Sequence, residues 1–400
     1  MKATDHESLG KAIAEYVDAR NKNQGIDKAQ EAISGELQKV QKRLKTTRDP
    51  LAMTSDLGKA LWASNSYDTA RGVKKGKVGT STVRAPFEEE SSKKTIEYAI
   101  SAPAKYNPKQ AYPLLICIPE RAKKPQEHLS DQWTLAALKE NAILVAPPMP
   151  EDAALWSEGG GAEAPGGIAN VLTVLGAVLR TYAIDFDRVY LCGRGEGVGA
   201  AVTIASRFPD RFAGVIGRSG DVGETGADNF RNLPTFFAGA GAGATAFQGK
   251  VDAAGYANCT VKPDGSEEDI WAWIEKNPRV SNPTDVVLVP GSPFPIRAYW
   301  LEVPALDSHG VARITGKIDR ATNTVTIDAE GVASTTLYFN DLLVDLDKPV
   351  KVVCNGSENV AIVPRNLALT LQLMYQSRSD PGKVYVSNKT YDVPAKPKAK

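Results

Sequence analysis

Histidine is scarce in this chain, with three in 400 residues, and that scarcity limits the chemistry available to it. His6 lies in an N-terminal arm, His128 stands before a helical stretch and His309 falls in a turn, so each reads as a solvated surface residue. Cysteine is almost as rare, with four in the chain. Cys117, Cys192 and Cys354 fall in strand-like apolar runs, and Cys259 opens another short one. Their separations match no zinc pattern, so they read as small, buried, reduced side chains. There is no excess charge of either sign. The 48 basic and 47 acidic residues leave a formal net charge of +1, which creates no general field for nucleic acid or membranes. No apolar run is long enough to span a bilayer, and the opening MKATDHESLG has no apolar core of the signal-peptide kind. A cytoplasmic location and the absence of any metal or cofactor are therefore expected.

What is present is an ordinary globular composition, 42% hydrophobic and 24% charged, in a chain longer than one compact core usually holds. Residues 1–62 read as a helical arm. Its second helix carries Ile26, Ile33, Leu37, Val40 and Leu44 in a narrow apolar seam with charged flanks. The seam predicts a hairpin packed on the main domain or, in the alternative, a contact with another subunit or a protein partner. Residues 63–94 are polar and read as a connector. From 95 to 296, continuous apolar strands alternate with helical patterns, which predicts a mainly parallel sheet with helices on both faces. The proline-rich end of that region, 278–295, reads as a linker. From 297 to 394 the period changes to two, which predicts a small antiparallel β unit. Residues 395–400 read as a disordered tail.

Gly193-Arg194-Gly195-Glu196-Gly197 follows the apolar run RVYLC and opens the small-residue helix Gly197–Ala205. Together with Ile184-Asp185-x-x-Arg188 before it, and Phe208-Pro209-Asp210-Arg211-Phe212 and Ser219-Gly220 after it, this stretch resembles the α/β-hydrolase superfamily. The likeness is strongest to its esterase and polyhydroxyalkanoate-depolymerase branch, which has prolyl-oligopeptidase-like relatives. The resemblance implies an α/β-hydrolase-like fold over about 95–278 and a G-x-S-x-G nucleophile elbow at 193–197. Glycine stands at 195, where the resemblance expects serine. It also implies an oxyanion loop after the strand LLICI, where this chain has Pro119-Glu120. Proline has no N–H to donate, and a carboxylate repels a developing oxyanion. The acid is expected after LPTFFAGA, where the chain reads Gly239 to Ala244. The base is expected in Val261–Ser266, which contains no histidine. A catalytically inactive scaffold or partner-binding module is therefore the expected function.

Three other readings stand beside it. Ser219 or Cys192 could serve as a relocated nucleophile in an ester or peptide hydrolase. Gly195-x-Gly197-x-x-Ala200, with Asp221 ending the next strand, is a loose dinucleotide fingerprint in which Val198 takes the third glycine's place. A ligand bound without turnover would meet the glycine-rich turn 193–199, with Arg194, Gly195, Glu196 and Trp156 around it, at the start of a helix.

Overall fold

The computed structural model describes residues 1–89, 92–120, 123–239, 241–291, 294–307, 311–377 and 380–396. His309 lies outside the described residues, as do residues 397–400 of the expected tail. In chain order the helices are α1 (Ala3–Lys22), α2 (Ile26–Leu44), α3 (Thr54–Ala63), α4 (Pro125–Gln132) and α5 (Ala136–Asn141). They continue as α6 (Gly167–Thr181), α7 (Gly197–Arg207), α8 (Ala242–Ala253), α9 (Glu267–Lys276) and α10 (Leu367–Gln376). The chain divides into two compact units, residues 67–280 and the combination of 1–66 with 281–400.

The 67–280 unit is built on one eight-stranded sheet. Its strands are β1 (Val78–Arg84), β2 (Thr95–Ser101), β3 (Tyr112–Ile118), β4 (Ile143–Ala146), β5 (Ile184–Arg194), β6 (Gly214–Arg218), β7 (Thr235–Ala238) and β8 (Cys259–Lys262). The spatial order is β1-β2-β4-β3-β5-β6-β7-β8. β1 and β2 are antiparallel, β2 runs against β4, and every pair from β4 to β8 is parallel. All seven residues of β3 are buried, as expected for a strand covered on both faces. On one face, Trp133 after α4, Leu138 of α5 and Ile270 and Ile274 of α9 cover Leu115, Cys117, Tyr190, Cys192, Ile216 and Phe236. α7 packs against β3, β5 and β6. The region is thus the α/β-hydrolase-like arrangement expected, with one addition: β1 lies in what reads from sequence as connector. Its polar, half-exposed residues suit a sheet edge.

The other unit contains two sheets. One has the order β10 (Arg297–Ala298), β11 (Leu301–Leu306), β14 (Val332–Phe339), β17 (Ser387–Asp392). The second has β16 (Ser357–Ala361), β15 (Val350–Cys354), β13 (Thr324–Glu330), β12 (Arg313–Asp319) and β9 (Asp285–Leu288). Two sequence expectations change here. β9 lies in the stretch read as a linker, because the prolines around it flank a buried Val286-Val287-Leu288 that pairs with β12. The unit is also not wholly antiparallel, since β13 and β15 run parallel.

The helical arm belongs with this β unit and not with the larger sheet. Leu9, Ile13 and Tyr16 of α1 and Ile33 and Leu37 of α2 share one core with Trp300, Leu337, Phe339 and Leu371. Val40 of the seam is buried as well, and only Leu44 at its end is exposed. The 3.5-residue pattern correctly marks a buried face. It carries no information about what covers that face, and here the cover comes from the same chain.

Candidate functional site

The turn after β5 keeps the geometry of an elbow. Gly195 has φ +52, its N–H donates to the Arg218 carbonyl at 3.1 Å, and its own carbonyl accepts from Val198 N at 3.1 Å. The three glycines of the motif serve different ends. A Cβ on Gly193 would run into the backbone of Gly197, and one on Gly197 would lie 2.6 Å from the Ile118 carbonyl oxygen. Both positions are closed by main chain. A Cβ on Gly195 would meet only Glu120, 3.2 Å from its Cβ and 3.3 Å from its Oε2. The constraint at 195 is the left-handed backbone, which glycine adopts freely.

Glu120 therefore stands in front of the elbow. Its carboxylate faces Arg194, Oε1 to Nε 3.7 Å, with both side chains about a third exposed. Pro119 packs its carbonyl against Gly197. The loop after β7 begins with Gly239 at φ +62. The loop after β8, Pro263 to Ser266, leads into α9, whose start is capped by Ser266 and Asp269 in reciprocal hydrogen bonds. Lys262 pairs with Asp269. Arg218, the β6 partner of Arg194, bonds the Gln132 carbonyl and Glu267, and stacks over Trp133 at 4.8 Å. Glu267 also accepts from Thr134 N at 2.9 Å and Leu135 N at 2.7 Å.

His128 corrects its surface assignment. It is 1% exposed. Burial pushes its pKa down to about 4, helped by the positive charges of Arg194, Arg218 and Lys123. The imidazole is thus neutral at pH 7 and lies on the α4 side of the sheet. The sequence conceals this because α4 is short and polar, and the arginines come from distant strands. His6 instead bonds Asp56 at 2.8 Å within the other unit.

The residues grouped as a ligand set separate. Trp156 and Glu196 line a pocket of about 350 Å³ with Gly199, Thr203, Val222 and Thr225 on the flank of α7. Arg194 is not among its lining residues and faces Glu120 instead. Asp221 turns its carboxylate onto Gly243 in the first turn of α8, and accepts from Gly223 N at 3.4 Å. All four cysteines are reduced and buried. Cys192 is 1% exposed beneath the elbow, and burial pushes the neighbouring Cys117 thiol up. No group of side chains among the described residues could hold a metal ion, and none of their helices is long and apolar enough to cross a membrane.

Sequence reasoning gave Ser219 little weight. It follows β6 with φ +50 and is exposed. Gly193 pairs with Gly217 and Arg194 with Arg218, so Ser219 holds after β6 the place that Gly195 holds after β5. The repeated Gly-Arg-x at two strand ends is the signal that could have marked it.

A family model described as esterase PHB depolymerase matches residues 149–258. No curated protein matches the chain in sequence. Among solved structures, a thermostable esterase is 17% identical with a TM-score of 0.41, the match covering 51% of this chain and 63% of that one. A ferulic acid esterase is 16% identical with a TM-score of 0.37, over 50% of this chain and 95% of that one. An S-formylglutathione hydrolase from Agrobacterium tumefaciens is 15% identical with a TM-score of 0.37, over 53% and 95%. The family match runs from the loop before α6 through the elbow to the start of β8, about a quarter of the chain, and is a likeness of that segment to the esterase PHB depolymerase family.

Proposed function

We propose that the chain is an esterase-type α/β protein whose elbow does not hydrolyse, and that it acts by binding, as a structural or partner-engaging module. One observation carries this reading: Gly195 stands at the reacting position with Glu120 against it. A carboxylate there opposes the negative charge that acyl transfer builds up. The loops after β7 and β8 supply neither a second carboxylate at 239–244 nor a histidine at 261–266. Losing a triad as a unit costs on the order of 10⁶ in rate. With the α2 seam buried inside the chain, a partner would meet the outer faces of the helices or the exposed Val360 and Ile362 of the β unit. The test is p-nitrophenyl acetate turnover by the wild type, Gly195→Ser and Gly195→Ala. The expected result is no difference among the three. Turnover by Gly195→Ser above the alanine control would overturn the reading.

A second reading, ester hydrolysis through Ser219, is favoured by the esterase family match and by a specific geometry. Ser219 is a non-glycine residue in the left-handed region beside the elbow, and strain of this kind gathers at functional sites. Its Oγ forms no side-chain hydrogen bond among the described residues, so an activating base would have to come with the substrate or from a rearrangement. A fluorophosphonate probe decides: labelling of the wild type that is lost in Ser219→Ala would establish this reading over the first.

A further inference from the structure

We propose that the α4 side of the β5 and β6 ends binds a small oxyanion, held by Arg194, His128 and Trp133 beside the elbow. The site goes beyond the reading above and does not depend on it. Three nitrogens in this region have no hydrogen-bond partner among the described residues: Arg194 Nε, His128 Nδ1 and Trp133 Nε1. His128 and Trp133 are 1% and 2% exposed. Buried polar atoms of native proteins nearly always find a partner, so three orphans in one region call for a ligand.

Their chemistry defines the ligand. An indole N–H and a guanidinium N–H can only donate, and a neutral imidazole can donate from the nitrogen that carries its proton. An acceptor-rich group is required. The surrounding charge points the same way, because Arg194, Arg218 and Lys123 all act on His128. The nearby carboxylates do not neutralise this field equally. Glu267 is committed to Arg218 and to the Thr134 and Leu135 amides. Glu120 stands 3.7 Å from Arg194 Nε, well beyond the 2.7–2.9 Å of a charge-assisted hydrogen bond. Glu120 is then a loosely held internal counter-ion that an external oxyanion replaces. Arg194 and Glu120 are the partly exposed members, and His128 and Trp133 are buried.

The experiment uses the full chain with 15N-labelled histidine, and His128 is assigned by its absence in His128→Gln. Sodium acetate and sodium phosphate are titrated separately at constant ionic strength, with sodium chloride as the control. A saturable shift of the His128 ring towards the imidazolium form is expected with either oxyanion, because a bound negative charge favours the protonated ring. Saturation by acetate alone assigns a carboxylate, and saturation by phosphate alone a phosphate. Arg194→Gln should weaken binding about tenfold, the loss of one charged hydrogen bond. Glu120→Gln should tighten binding by removing the competing carboxylate. Absence of a saturable shift, an equal response to chloride, or wild-type affinity in Arg194→Gln would each overturn the proposal. Should Arg194→Gln fail to fold, as read by its melting curve, Glu120→Gln decides: unchanged or weaker affinity overturns it.

Discussion

The ends of β5 and β6 present the same local pattern in adjacent register, Gly193-Arg194-Gly195 and Gly217-Arg218-Ser219. Each chain then turns at a residue with φ near +50. At the first turn the residue is glycine, which takes that conformation freely. At the second it is serine, which carries about 1–3 kcal/mol of strain there. The arginines diverge as well: Arg218 is engaged with Gln132, Glu267 and Trp133, whereas among the described residues Arg194 has only Glu120 at 3.7 Å. The fold needs a left-handed residue at both ends, and side-chain chemistry is a separate choice made at each.

The largest expected effect separates the two leading glycines. A Cβ at 193 meets main chain of Gly197, whereas one at 217 meets side chains, the buried ring of Phe237 and Val198 Cγ1. Gly193→Ala should therefore cost about 3 kcal/mol and Gly217→Ala about 1 kcal/mol, read by urea denaturation. Equal losses would show that the first turn is no more tightly built than the second.

Next in size is a dependence on acid that reports on both arginines. The His128 pKa is about 4 in the folded protein and 6.5 as its ordinary value. Between these the unfolded chain binds more protons, so stability is fully present above pH 6.5 and falls as pH drops towards 4. The full span is about 3 kcal/mol. His128→Gln should flatten the stability profile in that window. Removing either Arg194 or Arg218 should raise the folded-state pKa of His128, so that the fall ends at a higher pH and is smaller, by an amount that differs between the two strand ends.

The smallest effects exchange the turn residues themselves. Ser219→Gly should stabilise by about 1 kcal/mol through relief of strain, and Gly195→Ala should destabilise by about 1 kcal/mol by creating it. Changes of the same sign in thermal melts would mean that the two turns are not equivalent.

The sheet of the 67–280 unit was legible because runs such as YPLLICIP and RVYLCG are apolar without alternation, the mark of strands buried on both faces. The elbow was legible because its glycines stand at alternate positions within five residues of sequence. What escaped was long-range. Neither the seam of α2 nor the prolines around β9 states which distant strands they meet. The burial of His128 depends on two arginines far along the chain. The strain at Ser219 leaves no trace in composition, since serine is common in turns of every kind.

Residues 1–66 share their compact unit with 281–400 and not with the residues that follow them directly. During translation the 67–280 unit emerges and can close first, since domains fold as units as they leave the ribosome. Ile33, Leu37 and the α1 face stay uncovered until the partner strands have been made, so the nascent chain holds an adhesive amphipathic hairpin for most of its synthesis and is most vulnerable to aggregation there.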